Sequence, residues 1–388
     1  MGEMLQVTIA TKWKPAAPIF TRVSHYHAGL SFTLWRVCAK VCVMTKKIAR
    51  RFLSLFAAIA VLAVPTMVSA QARELSESGF QAYLQLAAAR ARSEGVSEAT
   101  ITRTLSGLTM NPKVVRLDSG QPGRRSSPPP MAPYLRRHVD SARINGGRAK
   151  LRQMAGLLPS IEQRFGVPRQ YLTAIWGHET NYGSYTGDFD LPRSLATLAY
   201  EGRRRALFEG ELIAAMKMVD KGVPRYRLKG SWAGAFGNPQ FLPSVYLSTA
   251  ADGDGDGDTD IWNSQADTLA SIANYFVRAG WRRGQPWGVR AAVPAGFNRS
   301  ASTSPLAAPS CERVHQRHSQ WKKVGEWREL GVRPLVPLGE NVMTALFQPD
   351  GAGTPAYLLT GNYRVILQYN CSNYYALSVG LLADEIAR

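Results

Sequence analysis

One carboxylate stands out for its surroundings. Glu179 lies in the stretch Ala174-Ile-Trp-Gly-His-Glu-Thr-Asn-Tyr-Gly183, among apolar and aromatic residues. Pro168 suits the first turn of a helix, and Gly183 suits a stop just past its end. Leu172, Ile175 and Trp176 recur at helical spacing, and Glu179 follows Ile175 by one turn, so the spacing predicts a helix with the acid near its end. Two effects there favour the protonated form. The negative end of the helix dipole repels a carboxylate, and apolar neighbours desolvate it. A carboxylic acid that keeps its proton near neutral pH can donate it to a glycosidic oxygen. Taken alone, the stretch also fits a solvated glutamate at a helix end.

The run Asp252-Gly-Asp-Gly-Asp-Gly-Asp258 is a second constellation. Alternate carboxylates in a Gly-rich turn (Asp252, Asp254, Asp256 and Asp258) can converge their oxygens on one hard cation. Gly257 falls at the sixth loop position, where an EF-hand loop turns sharply. The usual closing Glu is absent; Asn263 stands in its place, and Asp267 on the next helix is the expected replacement. Like charges packed this closely are costly without a cation, which favours a structural Ca2+ over a bare acidic turn. No organic cofactor is indicated.

A third block, Gly230-Ser-Trp-Ala-Gly-Ala-Phe-Gly-Asn-Pro-Gln-Phe-Leu-Pro-Ser244, sets Trp232, Phe236 and Phe241 beside the polar tips of Ser231 and Gln240. Rings next to amides and hydroxyls can line a sugar cleft, and a Gly/aromatic loop can equally pack into a core. Arg203-Arg204-Arg205 is expected to be a solvated helix face.

The elements that must carry these groups are mostly helical. Helical patterns run from Phe80 to Leu108, from Val139 to Phe165 with a break near Gly146-Gly147, from Leu195 to Val219 with interruptions at Gly202 and Gly210, and from Asp267 to Trp281. After Pro286 the texture changes to short β-type runs at Val289–Val293, Val332–Leu338, Thr344–Gln348, Tyr357–Thr360 and Tyr363–Tyr369. Gly361-Asn362 between the last two suggests a tight hairpin, and a final helix is expected over Ala376–Ile386.

The chain has 388 residues, 45% of them apolar, and a net charge of +19. Residues 1–70 hold nine Lys or Arg against one acid, so the chain from Gln71 onward still carries +11 and favours an anionic partner. Residues 44–70 have the organisation of a secretory signal: a basic front (Lys46, Lys47, Arg50, Arg51), an apolar run from Phe52 to Val64, and Val68-Ser69-Ala70 as a cleavage site. Residues 1–43 are then an upstream extension without a function, and no Cys follows Ala70 to take a lipid. The exported compartment expected is the periplasm, with no membrane-spanning helix in the mature chain. Residues 71–120 form an N-terminal helical segment, and 121–133, rich in Pro, Ser and Arg, a linker. Cys311 and Cys371 remain after the leader's Cys38 and Cys42; in an oxidising compartment two thiols can form one disulfide.

Several separated blocks, in order, resemble the lytic murein transglycosylases of the B type. They are Trp176-Gly-His-Glu-Thr-Asn-Tyr-Gly183, Leu198-Ala-Tyr-Glu-Gly-Arg203, Gly230-Ser-Trp-Ala-Gly-Ala235 with Pro239-Gln-Phe-Leu-Pro-Ser244, the Asp-Gly loop with Asp260-Ile-Trp262, Ser271-Ile-Ala-Asn-Tyr275, and Tyr369-Asn-Cys-Ser-Asn-Tyr-Tyr375. The resemblance covers residues 134–388. It implies an α+β, mainly α fold: a lysozyme-like catalytic core with a small antiparallel β section at about 286–370. It implies that Glu179 is the sole acid/base for cleavage of the β-1,4 bond between N-acetylmuramic acid and N-acetylglucosamine, leaving a 1,6-anhydro end. It also implies that Tyr134, Ser231, Gln240, Phe241, Tyr275, Tyr369, Asn370 and Tyr375 line the sugar cleft, and that the Asp-rich loop is the family's EF-hand-like cation site. Expected partners are peptidoglycan glycan strands and proteins of wall synthesis or remodelling, acting on a monomer, and not nucleic acid. Asn238-Pro239 before Gln240 and Cys371 inside a cleft block depart from the pattern. Alternatives are a muramidase that uses water, whose products end in reducing sugars, and a non-catalytic wall- or calcium-binding protein.

Overall fold

The computed structural model describes residues 75–121, 128–304 and 311–388. The expected extension and signal segment lie outside them, as does the middle of the 121–133 linker.

The chain opens with α1 (Glu77–Ser93), α2 (Glu98–Leu105) and α3 (Pro112–Ser119). Ser76, Ser97 and Asn111 each accept a backbone N–H at a helix start. Ser97, with Gly95 at a φ of 84°, divides what the periodicity presents as one helix over Phe80–Leu108. Next come α4 (Met131–His138), α5 (Ser141–Gln153), α6 (Leu158–Phe165) and α7 (Arg169–Thr180), which carries Glu179. The break expected at Gly146-Gly147 is absent: α5 runs through it to Gln153. These glycines serve packing instead. A Cβ at Gly146 would stand 2.8 Å from the Tyr182 ring, and one at Gly147 would stand 2.4 Å from Ile386.

Strand β1 (Phe189–Asp190) pairs antiparallel with β2 (Lys229–Gly230), and α8 (Leu191–Glu201) and α9 (Arg205–Asp220) fill the interval. Gly202, at a φ of 103°, ends α8 as a left-handed cap. Gly210 does not interrupt α9; it is exposed, with open space around it. Such a glycine weakens a helix by about 1 kcal/mol without breaking it. Arg203 and Arg205 are exposed, as expected, and Arg204 is half-buried, but the run also makes specific contacts. Arg203 and Arg204 reach the buried carboxylate of Asp118, while Arg204 lies over Phe208 and Arg205 over Tyr83.

Helices α10 (Pro243–Thr249) and α11 (Gln265–Arg278) lead to the β section: β3 (Gly288–Ala292), α12 (Glu312–His315), β4 (Trp321–Lys323), α13 (Val324–Glu329), β5 (Arg333–Pro334), β6 (Met343–Phe347) and β7 (Ala356–Leu359). The strands form one antiparallel sheet in the order β4-β6-β7-β3-β5, with Leu358 paired to both Val289 and Leu346. The run Val332–Leu338 contributes only Arg333–Pro334, and β4 had no sequence signal. The chain closes with α14 (Gly361–Tyr369) and α15 (Asn373–Ala387). The hairpin expected at Gly361-Asn362 is thereby overturned. Thr360 accepts the Asn362 N–H as a helix cap, and the Asn362 side chain donates to the Arg282 and Gln285 carbonyls, which ties the start of α14 to the loop after α11.

The expected α+β, mainly α architecture is therefore present. One helical core gathers around α7, α11, α14 and α15, another around α1 to α3, α8 and α9, and a small one sits beneath the sheet. Tyr275 and Tyr369 pack against both helical cores, which marks the seam between them.

Candidate active site

Helix α7 is buried from Tyr171 to Thr180, so its acid has little choice of environment. Pro168 precedes the first turn as the N-cap. The helix ends on two left-handed residues, Asn181 (φ 49°) and Tyr182 (φ 59°). That conformation is unfavourable for a tyrosine by roughly 1 kcal/mol or more. It is held by Tyr182 Oη, which donates to the Arg143 carbonyl at 2.6 Å, and by the ring lying against Gly146, Gly147 and Gly177.

Asn238 secures the same end from the other side. Its Oδ1 accepts from Trp176 Nε1 at 3.2 Å, its carbonyl accepts from Thr180 Oγ1 at 3.1 Å, and its Nδ2 donates to the Trp262 carbonyl at 3.1 Å. The departure noted at Asn238-Pro239 is thus a tie between α7 and the segment that follows the acidic loop. Its only sequence signal is an amide inside a Gly/aromatic block.

Glu179 is buried, and burial raises its pKa to about 7. Tyr375 Oη donates to its Oε1 at 2.5 Å and opposes that shift. No charged group adds to either effect. The neighbouring His178 is also buried, and desolvation, with Arg143 and His138 nearby, drives its pKa well below the usual histidine value. Its ring stacks parallel to His138 with centroids 5.8 Å apart, and it lies 5.5 Å from Tyr375. Nothing in the sequence pattern pointed to this stack, since the two histidines come from different helices.

From Tyr375 the rings continue without a gap. Tyr375 stacks on Tyr369 (6.4 Å), Tyr369 meets Tyr275 edge-on (4.8 Å), and Phe241 touches both (5.9 and 6.0 Å). Tyr369 Oη donates to the Pro239 carbonyl at 2.5 Å, and Tyr275 Oη donates to the Gln368 carbonyl at 2.7 Å. Gln240, in the left-handed region (φ 51°), turns its amide to the carbonyls of Thr186 and Gly237, both at 3.0 Å. Ser231 Oγ accepts the Ala235 N–H at 3.0 Å and closes its own turn. Tyr134 stacks on His138 (3.8 Å), and burial, with the charge of Glu179, pushes its pKa to about 12. Asn370 Oδ1 is buried without a hydrogen-bond partner. Of the residues singled out in the sequence, Tyr375, Tyr369, Tyr275 and Phe241 thus form one ring series beside Glu179, while Ser231 and Gln240 bond to their own loops.

In the acidic loop, Asp252, Asp254 and Asp256 each place an oxygen within 4.8 Å of the others. Asp258 is not part of this trio. Nor is Asp267, whose two oxygens accept the N–H groups of Gly253 (2.7 Å) and Asp260 (2.6 Å) and close the loop through its backbone. Asp252 likewise accepts the N–H groups of Gly255 (2.6 Å) and Gly257 (3.0 Å), and such bonds leave each carboxylate with further lone pairs. An all-oxygen donor set with three converging carboxylates fits a hard divalent cation. Cys311 and Cys371 are joined, with Cα atoms 5.7 Å apart.

A family model described as a transglycosylase SLT domain matches residues 79–384. The chain belongs to this family. It is 31% identical over 307 residues to the membrane-bound lytic murein transglycosylase B of Escherichia coli, covering 76% of this chain and 79% of that protein. SltB3 from Pseudomonas aeruginosa, solved with NAG-NAM-pentapeptide and with NAG-anhNAM-pentapeptide, superposes with a TM-score of 0.71 at 39% identity, over 79% of each chain. The Escherichia coli lytic transglycosylase Slt35 in complex with calcium superposes with a TM-score of 0.65 at 26% identity, over 80% of this chain and 93% of that one. This chain is a B-type lytic transglycosylase that acts on peptidoglycan. Helices α1 to α3, set apart in the sequence as 71–120, lie largely within the transglycosylase match. Among the described residues no helix is long and apolar enough to cross a membrane.

Proposed function

We propose that Glu179 alone performs the acid/base chemistry of this lytic transglycosylase. The observation that carries the reading is its electrostatic isolation: burial and the Tyr375 hydroxyl account for its pKa of about 7, with no second carboxylate acting on it. Glycosidases that use water depend on a carboxylate pair at defined spacing. A lone acid suits a reaction in which the substrate supplies the nucleophile. Glu179 donates its proton to the glycosidic oxygen between N-acetylmuramic acid and N-acetylglucosamine as the C1–O bond breaks. The resulting carboxylate, hydrogen-bonded by Tyr375, then takes the proton of the muramyl C6 hydroxyl. That oxygen bonds to C1 and leaves a 1,6-anhydro end. The ring series from Tyr375 to Phe241, with Tyr134, Ser231, Gln240 and Asn370, supplies stacking surface and polar tips for the sugars.

The same proposal places the enzyme in the periplasm, exported by residues 44–70 and working as a monomer on glycan strands. Asp252, Asp254 and Asp256 would hold Ca2+, which the Slt35 structure also contains. The cation would neutralise the loop ahead of the segment that Asn238 links to α7; its role is structural.

The deciding experiment is mass spectrometry of muropeptides released from purified peptidoglycan by the chain from Gln71 onward, beside its Glu179→Gln variant. Anhydro-muropeptides from the first and none from the second are expected. Products with hydrated reducing ends would assign a hydrolase instead.

A further inference from the structure

Helix α4 carries Tyr134 but does not cap itself. A helix start leaves its first four N–H positions without an intrahelical acceptor. In α4 two of these positions are Pro130 and Pro133, which have no N–H, and the other two are Met131 and Ala132. One carboxylate serves both: Asp350 Oδ1 accepts the Met131 N–H at 2.6 Å, and Oδ2 accepts the Ala132 N–H at 3.1 Å. Asp350 stands 219 residues beyond Met131, in the turn between β6 and β7, so the β section supplies the cap. Its charge also suits the positive end of a helix whose own first turn has no acid.

The turn that presents Asp350 is braced. Gly351 (φ 91°) and Gly353 (φ 77°) reverse the chain, and Gln348 Nε2 donates to the Thr354 carbonyl at 2.7 Å across it. Arg299 Nε donates to Gln348 Oε1 at 2.8 Å, and Arg317 Nη2 donates to the Pro349 carbonyl at 2.9 Å. The other ties of α4 act elsewhere. Met131 is buried in the core around α7 and α15, and Tyr374 Oη donates to the Pro129 carbonyl ahead of the helix. Neither meets an N–H of the first turn, and a helix of eight residues is too short to keep that turn by propensity alone.

Tyr134 ends this first turn, and its contacts set it at the acid. Its ring stacks on His138, which lies parallel to His178, the residue before Glu179. It meets Tyr374 edge-on at 5.3 Å, and the charge of Glu179 acts on its hydroxyl. Helix α4 packs on α15, which bears Tyr375.

We infer that Asp350 is a positioning residue for the active site: from the β6–β7 turn it holds the first turn of α4 and so keeps Tyr134 beside Glu179. This rests on reading Glu179 as the acid. It gives the sheet, whose strands bear none of the ring series, a task in the reaction.

The test compares Asp350→Ala, Asp350→Asn and Tyr134→Ala with the parent by two readouts. Hydrogen exchange followed by mass spectrometry needs no substrate: in Asp350→Ala the amides of α4 should exchange about tenfold faster while those of α7 keep the parental rate. For release of anhydro-muropeptides, kcat/KM should fall about tenfold, because a shift of roughly 1 Å in one group of a site is enough for such a loss. Asp350→Asn keeps a neutral acceptor and should lose only about threefold. Tyr134→Ala should lose at least about tenfold by itself, and adding either Asp350 change to it should cost little more, because both act through one ring. Parental exchange in α4, faster exchange with a parental kcat/KM, or losses that add fully to those of Tyr134→Ala would each overturn the inference. If Asp350→Ala does not fold, the threefold loss in Asp350→Asn and its disappearance beside Tyr134→Ala decide. Should the parent release no anhydro-muropeptides, the reading of Glu179 fails, while exchange in α4 still decides whether Asp350 holds the helix.

Discussion

The hydroxyl of Tyr375 donates to Oε1 of Glu179 at 2.5 Å, with both side chains buried. The two act in opposition. Burial raises the acid's pKa and the phenol lowers it; in the proposed mechanism the first keeps a proton for the leaving oxygen and the second supports the carboxylate that takes the C6 hydroxyl proton. A pKa of about 7 is the balance of these two effects.

Rate should therefore be lost as pH rises through about 7, since in the proposed mechanism only protonated Glu179 begins the reaction. Well above that pH, kcat/KM on a soluble glycan should fall about tenfold per unit. A pH–rate series between 5 and 9 reads this, and a flat profile would remove Glu179 from the role of proton donor.

Tyr375→Phe removes the bond that lowers the Glu179 pKa, so the alkaline limb should move upward. A hydrogen bond to a charged group is worth about 1.5–3 kcal/mol, or roughly one to two pH units. The carboxylate step loses its support, and kcat at pH 6 should drop about tenfold or more. Single-turnover release of anhydro ends across pH checks both effects.

The raised pKa also links pH to stability. Folded Glu179 binds a proton more tightly than unfolded Glu179, so its contribution weakens as pH climbs from about 4.5 toward about 7 and is least favourable above that. Glu179→Gln removes the buried charge and should raise Tm at pH 8 relative to the parent. The gain is up to about 3 kcal/mol by linkage, and at pH 4 it should shrink toward zero. Paired thermal melts at the two pH values test the sign.

Asn238→Ala should destabilise the protein by about 2–3 kcal/mol, because it strands the buried Trp176 Nε1 and unlinks the Trp262 carbonyl. Denaturant titration gives the loss. Activity should fall further than the unfolded fraction explains, since the end of α7 moves with this tie.

Calcium should raise Tm, and Asp254→Asn with Asp256→Asn should abolish the increment. The gain follows the ratio of free ion to Kd and reaches about 2.7 kcal/mol at a hundredfold excess. A Tm insensitive to both calcium and chelator would discard the cation reading of the loop.

The legible parts of this site lie close together in the sequence. Glu179 announces itself through its immediate neighbours, and Asp252, Asp254 and Asp256 through a period of two. What stayed hidden depends on partners distant in the chain. Gly147 looks like a helix breaker until Ile386 is seen against it, and Gly361-Asn362 looks like a hairpin until Arg282 and Gln285 claim the Asn362 side chain. Asp267 reads as a ligand from its type and place, but its bonds to the N–H groups of Gly253 and Asp260, which close the loop, are not legible there. The His138–His178 stack has no local signature, and the Asn238 tie shows only as an amide inside a Gly/aromatic block.

Tyr275 and Tyr369 belong to the seam between the two helical cores as much as to the cleft. A molecule seated against them would touch both halves of the fold at once and act as mortar between them. Occupancy would then bind two halves into one melting unit: a calorimetric trace broadened by separate loosening of the halves should sharpen into a single transition when the cleft is full. Inhibitors of this enzyme could be ranked by that sharpening, without any measurement of turnover.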